Sequence, residues 1–156
     1  MSISEVTLKK VEPMAIASIR EVVPSYDSMG AHFGEIFAYL GKNKIAPAGP
    51  TFAIYYDEGY KEKDVHVESA VPIAASAPSG ERVKVRELPG VDQVASLTLQ
   101  GSYAGLSGAY ERLLGWIEAN GYRIVGPNWE IYLQGAGPDF EPPEYLTEIQ
   151  FPVQKA

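Results

Sequence analysis

The sequence predicts an α+β fold: a pseudo-twofold tandem repeat of two strand-helix-strand-strand units, with antiparallel sheet and two helices framing a central groove. Three observations lead there. The segment Gly49-Pro50-Thr51-Phe52-Ala53-Ile54-Tyr55-Tyr56 returns 77 residues later as Gly126-Pro127-Asn128-Trp129-Glu130-Ile131-Tyr132-Leu133. An apolar stripe at helical spacing precedes each copy. The same offset matches Tyr26 with Tyr103, Tyr39 with Trp116 and Asn43 with Asn120, and no gap is needed from Ser25 to Tyr56. A chain of 156 residues is expected to form a single domain, 1–156, with internal repeats at about 3–75 and 82–155. Two copies make a pseudo-symmetric domain rather than a solenoid.

Each element has its own signal. From Ile3 to Val23 the apolar pattern is extended and Pro13 interrupts it, so two short strands or one bent strand are expected. Arg82 to Gln100 repeats this with its break at Pro89-Gly90. The first helix follows Pro24-Ser25, with Phe33, Ile36, Phe37 and Leu40 as its core stripe and Gly41 near its exit. The second follows Gly101-Ser102, carries Tyr110, Leu113, Leu114 and Ile117, and stops at Asn120-Gly121. Tyr39 and Trp116 lie beside these stripes, placed to reach their edge and line a groove. Strands are expected over Thr51–Asp57, Asp64–Ile73, Asn128–Gln134 and Tyr145–Gln154. Gly135 to Pro143 is too rich in Pro and Gly for regular structure and reads as a surface loop or lid, and Asp57 to Asp64 as a charged, solvated hairpin tip.

Composition excludes several functions. A net charge of −7 argues against general affinity for phosphate backbones, so direct binding to nucleic acid is not expected. With no cysteine there are no disulfides or thiolate metal sites. His32 and His66 stand alone in sequence, without triad or ligand spacing, and no HExxH, P-loop, GxGxxG or nucleophile-elbow pattern occurs. No metal or cofactor is expected. The start of the chain lacks the features of a signal peptide and no apolar run is long enough to span a membrane, which predicts a cytoplasmic protein without a membrane partner.

The chemistry centres on the one telling difference between the copies, Glu130 where the first has Ala53. Side chains alternate across a strand, so Phe52, Ile54 and Tyr56 share one face, as do Trp129, Ile131 and Leu133. These large apolar sets are expected beneath the helices. The other face then holds Ala53, Tyr55, Glu130 and Tyr132, which an approximate twofold would bring together at a ligand cleft. A carboxylate among aromatic rings loses hydration, and a lipophilic cation would both neutralise it and stack on Tyr55, Tyr132 or Trp116, adding roughly 0.5–2 kcal/mol per ring contact. Planar aromatic ligands would stack there too. Glu68 and Glu148 occupy equivalent places, each four residues before a proline. That equivalence favours a structural role, with Glu148 also a candidate for the cleft border.

Taken together, Gly101-Ser102-Tyr103, Leu113-Leu114-Gly115-Trp116-Ile117, Trp129-Glu130-Ile131-Tyr132-Leu133 and Thr147-Glu148-Ile149-Gln150-Phe151-Pro152-Val153 resemble the GyrI-like effector-binding domain family. That module closes many AraC-type and MerR-type multidrug regulators and also stands alone. The resemblance covers nearly the whole chain. It implies a groove for hydrophobic, often cationic compounds, with Glu130 as the electrostatic anchor and Tyr103 and Tyr145 as further aromatic contacts. The chain departs from the regulators in lacking a helix-turn-helix segment, so the expectation is a stand-alone sensor or sequestering protein for such small molecules, multidrug-type in its breadth. Two alternatives follow from the same family. One is hydrolysis of cyclopropane-bearing DNA alkylators, with Glu130 as the catalytic general base. The other is inhibition of DNA gyrase through the acidic surface. Neither the natural ligand nor a protein partner is legible in the residues.

Overall fold

The computed structural model describes residues 2–57, 63–74, 77–135 and 139–156, so part of the expected hairpin tip (58–62) and of the expected lid (136–138) lies outside the described residues. The fold is α+β, with antiparallel sheet and two α-helices. In chain order the strands are β1 Ser2–Ile3, β2 Thr7–Val11, β3 Met14–Val23, β4 Phe52–Tyr55, β5 Val65–Ile73, β6 Lys84–Leu88, β7 Val91–Gln100, β8 Tyr122–Ile124, β9 Asn128–Gln134 and β10 Leu146–Lys155. The helices are α1 Met29–Lys42, between β3 and β4, and α2 Leu106–Ala119, between β7 and β8. Pro13 falls between β2 and β3, and Pro89-Gly90 between β6 and β7, because a residue without a backbone N–H interrupts a ladder. β6, β7 and α2 each begin 77 residues after β2, β3 and α1. Both helices end on the same device, an asparagine whose Nδ2 donates back to the carbonyl four residues earlier: Asn43 to Tyr39 at 2.8 Å and Asn120 to Trp116 at 2.9 Å.

The compact units differ from the two sequence halves. One comprises residues 1–11 with 91–156, the other residues 12–90. In the first, β7 pairs with β10 on one side and with β1 and β2 on the other, while β9 and β8 pair with β10. In the second, the order is β4-β5-β3-β6. The opening strands are therefore exchanged: β2 pairs with β7 and β6 with β3.

Each unit has its own core. In the first, Ala109, Leu113 and Ile117 of α2 pack with Ala95, Leu97 and Leu99 of β7 and with Ile149, Phe151 and Val153 of β10. In the second, Ile36 and Leu40 of α1 pack with Ala17 and Ile19 of β3, with Val71 and Ile73 of β5 and with Val83. Burying such side chains contributes roughly 1.5–3 kcal/mol each. Phe37 and Leu114, expected in the stripes, are 44% and 41% exposed. They sit one position beyond Ile36 and Leu113, so the helix turns them outward.

The face assignment of the repeated strands is reversed. Antiparallel register sets Glu130 opposite Ile149, and Ile149 belongs to the core under α2. Residues directly opposite share a face, so Glu130 and Tyr132 face the helix. Trp129 and Ile131 lie on the other side with Gln150 and Glu148. The second unit agrees: Ala53 opposes Ser69, which α1 contacts through His32, whereas Ile54 opposes Glu68. Size misleads here because both faces are buried, with Phe52 and Ile54 as enclosed as Ala53.

Candidate functional site

Asn128, Glu130 and Tyr132 alternate along β9 and so project from its helix-facing side. Glu130 is only 6% exposed. The hydroxyl of Tyr110, on α2, donates to its Oε2. The hydroxyl of Tyr132 donates to its Oε1 at 3.0 Å. Asn128 Nδ2 donates to the Tyr110 hydroxyl at 2.9 Å, which leaves the phenol proton directed at the carboxylate. The Tyr110 ring stands edge-on to Phe151 of the core, with centroids 5.9 Å apart.

Two further rings continue outward from Tyr132. Tyr132 meets Tyr103 in a T-shaped pair at 6.2 Å, and Tyr103 lies 4.9 Å from Tyr145. Gly135 closes the edge of the group: a Cβ there would sit 3.2 Å from the Tyr103 hydroxyl oxygen and 3.4 Å from Tyr132 Cβ, so a larger residue would press on that hydroxyl. Tyr103 itself is exposed, so the row of rings reaches the surface.

The other expected site residues each have partners of their own. Trp116 stacks on Tyr122 at 5.7 Å and lines a shallow hollow with Glu5, Val6 and Arg112. Tyr55, in the unit formed by residues 12–90, pairs edge-on with Tyr26 at 5.7 Å. Tyr39 donates its hydroxyl to the Pro78 carbonyl and packs against the core of its unit. Glu148 opposes Ile131, so it lies on the face away from Glu130. There its Oε2 accepts bonds from Lys9 (2.8 Å), Ser96 (2.6 Å) and Gln150 (2.7 Å). Burial works to raise this carboxyl, but those donors outweigh it and hold the group below the usual carboxylate range.

Two members of the site escaped sequence reasoning. Tyr110 sits within the apolar stripe of α2 and reads there as core; Asn128 reads as a strand end. A signal did exist: Tyr110 replaces Phe33 at the same 77-residue offset at which Glu130 replaces Ala53, so hydroxyl and carboxylate arrive together. His32 also has partners that spacing did not reveal. It is buried under α1, with Nδ1 3.1 Å from Ser69 Oγ and Nε2 2.6 Å from Glu21 Oε1. Hydrogen bonds from Arg82 and then from His32 hold the Glu21 carboxyl below its ordinary value. Ser69 is fully buried, so this row is a polar core network and not a nucleophile open to substrate. Among the described residues no group of three or more His, Cys, Asp or Glu is placed to hold a metal ion. No helix among the described residues is long and apolar enough to cross a membrane.

Similar proteins share this architecture. EcmrR in its DNA complex is 27% identical over 97% of the chain, with a TM-score of 0.89, and the chain spans 58% of EcmrR there. Against the EcmrR C-terminal domain alone, identity is 25%, coverage is 97% of this chain and 98% of that one, and the TM-score is 0.83. A hydrolase from Listeria innocua is 12% identical, covers 96% of this chain and 92% of its own, and gives a TM-score of 0.72. SAV2435, in a structure bound to tetraphenylphosphonium, is 15% identical, with 97% and 94% coverage and a TM-score of 0.60. The last two share the fold. None of the curated proteins matches the sequence. The family model for the GyrI-like small molecule binding domain matches residues 4–154, and the chain belongs to that family.

Proposed function

We propose that the chain binds hydrophobic, cationic or planar aromatic small molecules at Glu130, sensing or sequestering them. The observation that carries this reading is a carboxylate buried on the helix-facing side of β9, bonded by two phenol hydroxyls and continued outward by the rings of Tyr132, Tyr103 and Tyr145. A lipophilic cation beside Glu130 would offset a charge that has lost most of its hydration, and each ring face it covers would add roughly 0.5–2 kcal/mol. SAV2435, of the same fold, is bound to such a cation. EcmrR supports a regulatory setting for domains of this kind, but the matched part is its C-terminal domain and its DNA contacts are not carried over.

Calorimetric titration with tetraphenylphosphonium tests this. Saturable binding is expected, weakened about tenfold or more in Glu130→Gln, which keeps the shape and removes the charge. No saturation across a panel of lipophilic cations, or equal affinity in the variant, would overturn it. The hydrolase of the same fold favours a second reading, in which Glu130 draws a proton from water attacking a strained ring. Incubation with a cyclopropane alkylator should then give a ring-opened product that Glu130→Gln does not form. Equal rates with and without the protein would remove this reading.

A further inference from the structure

In the unit formed by residues 12–90, the sheet face turned away from α1 carries cationic groups that the Glu130 site does not use. Register sets Arg20 opposite Glu68 and Arg86 opposite Ile16, so both arginines rise from that face. Glu68, 2% exposed, accepts bonds from Ser18 (2.6 Å), from Tyr56 (2.5 Å) and from Arg86 through Nε and Nη2 (3.1 and 2.7 Å). Burial would raise this carboxyl, but Arg86, Ser18 and Tyr56 together hold it below its ordinary value.

Arg20 is not needed for that neutralisation. Glu148, the counterpart of Glu68, has the single cation Lys9 beside two neutral donors. Arg20 is nevertheless fixed: its guanidinium lies 3.7 Å over the Tyr56 ring and its Nε donates to His66 Nε2 at 3.0 Å. Tyr56 stays a neutral platform, because burial and then its bond to Glu68 push its hydroxyl up to about 12. Among the described residues, both Nη groups of Arg20 make no hydrogen bond, Arg86 also bonds the Tyr56 hydroxyl, and both arginines are exposed. Also near are Lys84, which rises from this face and donates to the Gly80 carbonyl, and Asp57, which accepts the His66 backbone N–H.

We propose that Arg20, over the ring of Tyr56, and Arg86, beside its hydroxyl, form an anion-binding site for a phosphate or carboxylate group. Guanidinium forks match both anions in geometry, and forks already held in place lose little freedom on binding. The chain as a whole carries a charge of −7 and repels anions, so attraction here is local.

The test follows arginine Nε–H signals by NMR while inorganic phosphate, and separately acetate, is added at constant ionic strength. Saturable shifts at Arg20 and Arg86 with either anion are expected, and the anion that saturates at lower concentration names the preferred group. Arg20→Gln should weaken the response about tenfold or more, with a cooperative thermal unfolding transition kept and tetraphenylphosphonium binding unchanged. Those two controls separate this site from the one at Glu130. Linear drift with both anions, or an undiminished response in Arg20→Gln, would overturn the proposal.

Discussion

Glu68 and Glu148 show what a buried carboxylate needs at the level of single residues. Each accepts a cation and neutral donors, and each is held below the ordinary value of 4.5 despite burial. A group whose folded value is depressed contributes stability that is complete above its unfolded value and is lost as pH falls through the folded one. Thermal midpoints should therefore hold from pH 7 down to about 4.5 and fall steeply below it. In Glu148→Gln that fall should be shallower, and parallel curves for the two proteins would refute the assignment. Glu130 is met by two phenol hydroxyls, from Tyr110 and Tyr132, a feature the sequence half disclosed. The change from Ala53 marks the strand position, whereas Tyr110 was hidden because aromatic rings in a helix stripe look alike whether or not the hydroxyl has a task.

At the scale of elements, apolar spacing, Pro and Gly located both helices and most strands, and left β8 unseen because three residues carry too little pattern. Which side of β9 the helix covers was not legible. Alternation divides a strand into two faces, but Trp129 on the far face is nearly as enclosed as Glu130, so the larger side chains need not mark the helix side. The helices also hold glycines that packing does not require. At Gly34 an added Cβ would meet nothing within 4 Å. Gly34→Ala should therefore raise stability by about 0.5–1 kcal/mol in denaturant unfolding, through lower chain entropy alone. Gly80→Ala should do the opposite, since its Cβ would lie 2.6 Å from Tyr39 Cε1. A stabilised Gly80→Ala would contradict the placement of Tyr39.

At the scale of the whole molecule, the recurrence at 77 residues was plain in the sequence, but the partner of each opening strand was not. Backbone pairing leaves no residue-specific mark, and β2 and β6 are both short, mostly exposed and basic. The structure gives β2 to β7, with Lys9 seated on Glu148. Removing residues 1–11 should therefore speed hydrogen exchange along β7 by tenfold or more and leave β3 and β5 protected. Equal loss in both sets would show that the units open together. The exchange of opening strands also orders events on the ribosome. Residues 12–90 emerge with β3 and its partners β5 and β6 together, whereas residues 7–11, made earlier, wait as an unmatched ribbon until β7 follows them out. Nascent chains stalled once residue 90 has left the exit tunnel should accordingly hold β4, β5, β3 and β6 already paired and residues 7–11 unpaired, a state in which that segment is open to chaperones or proteases.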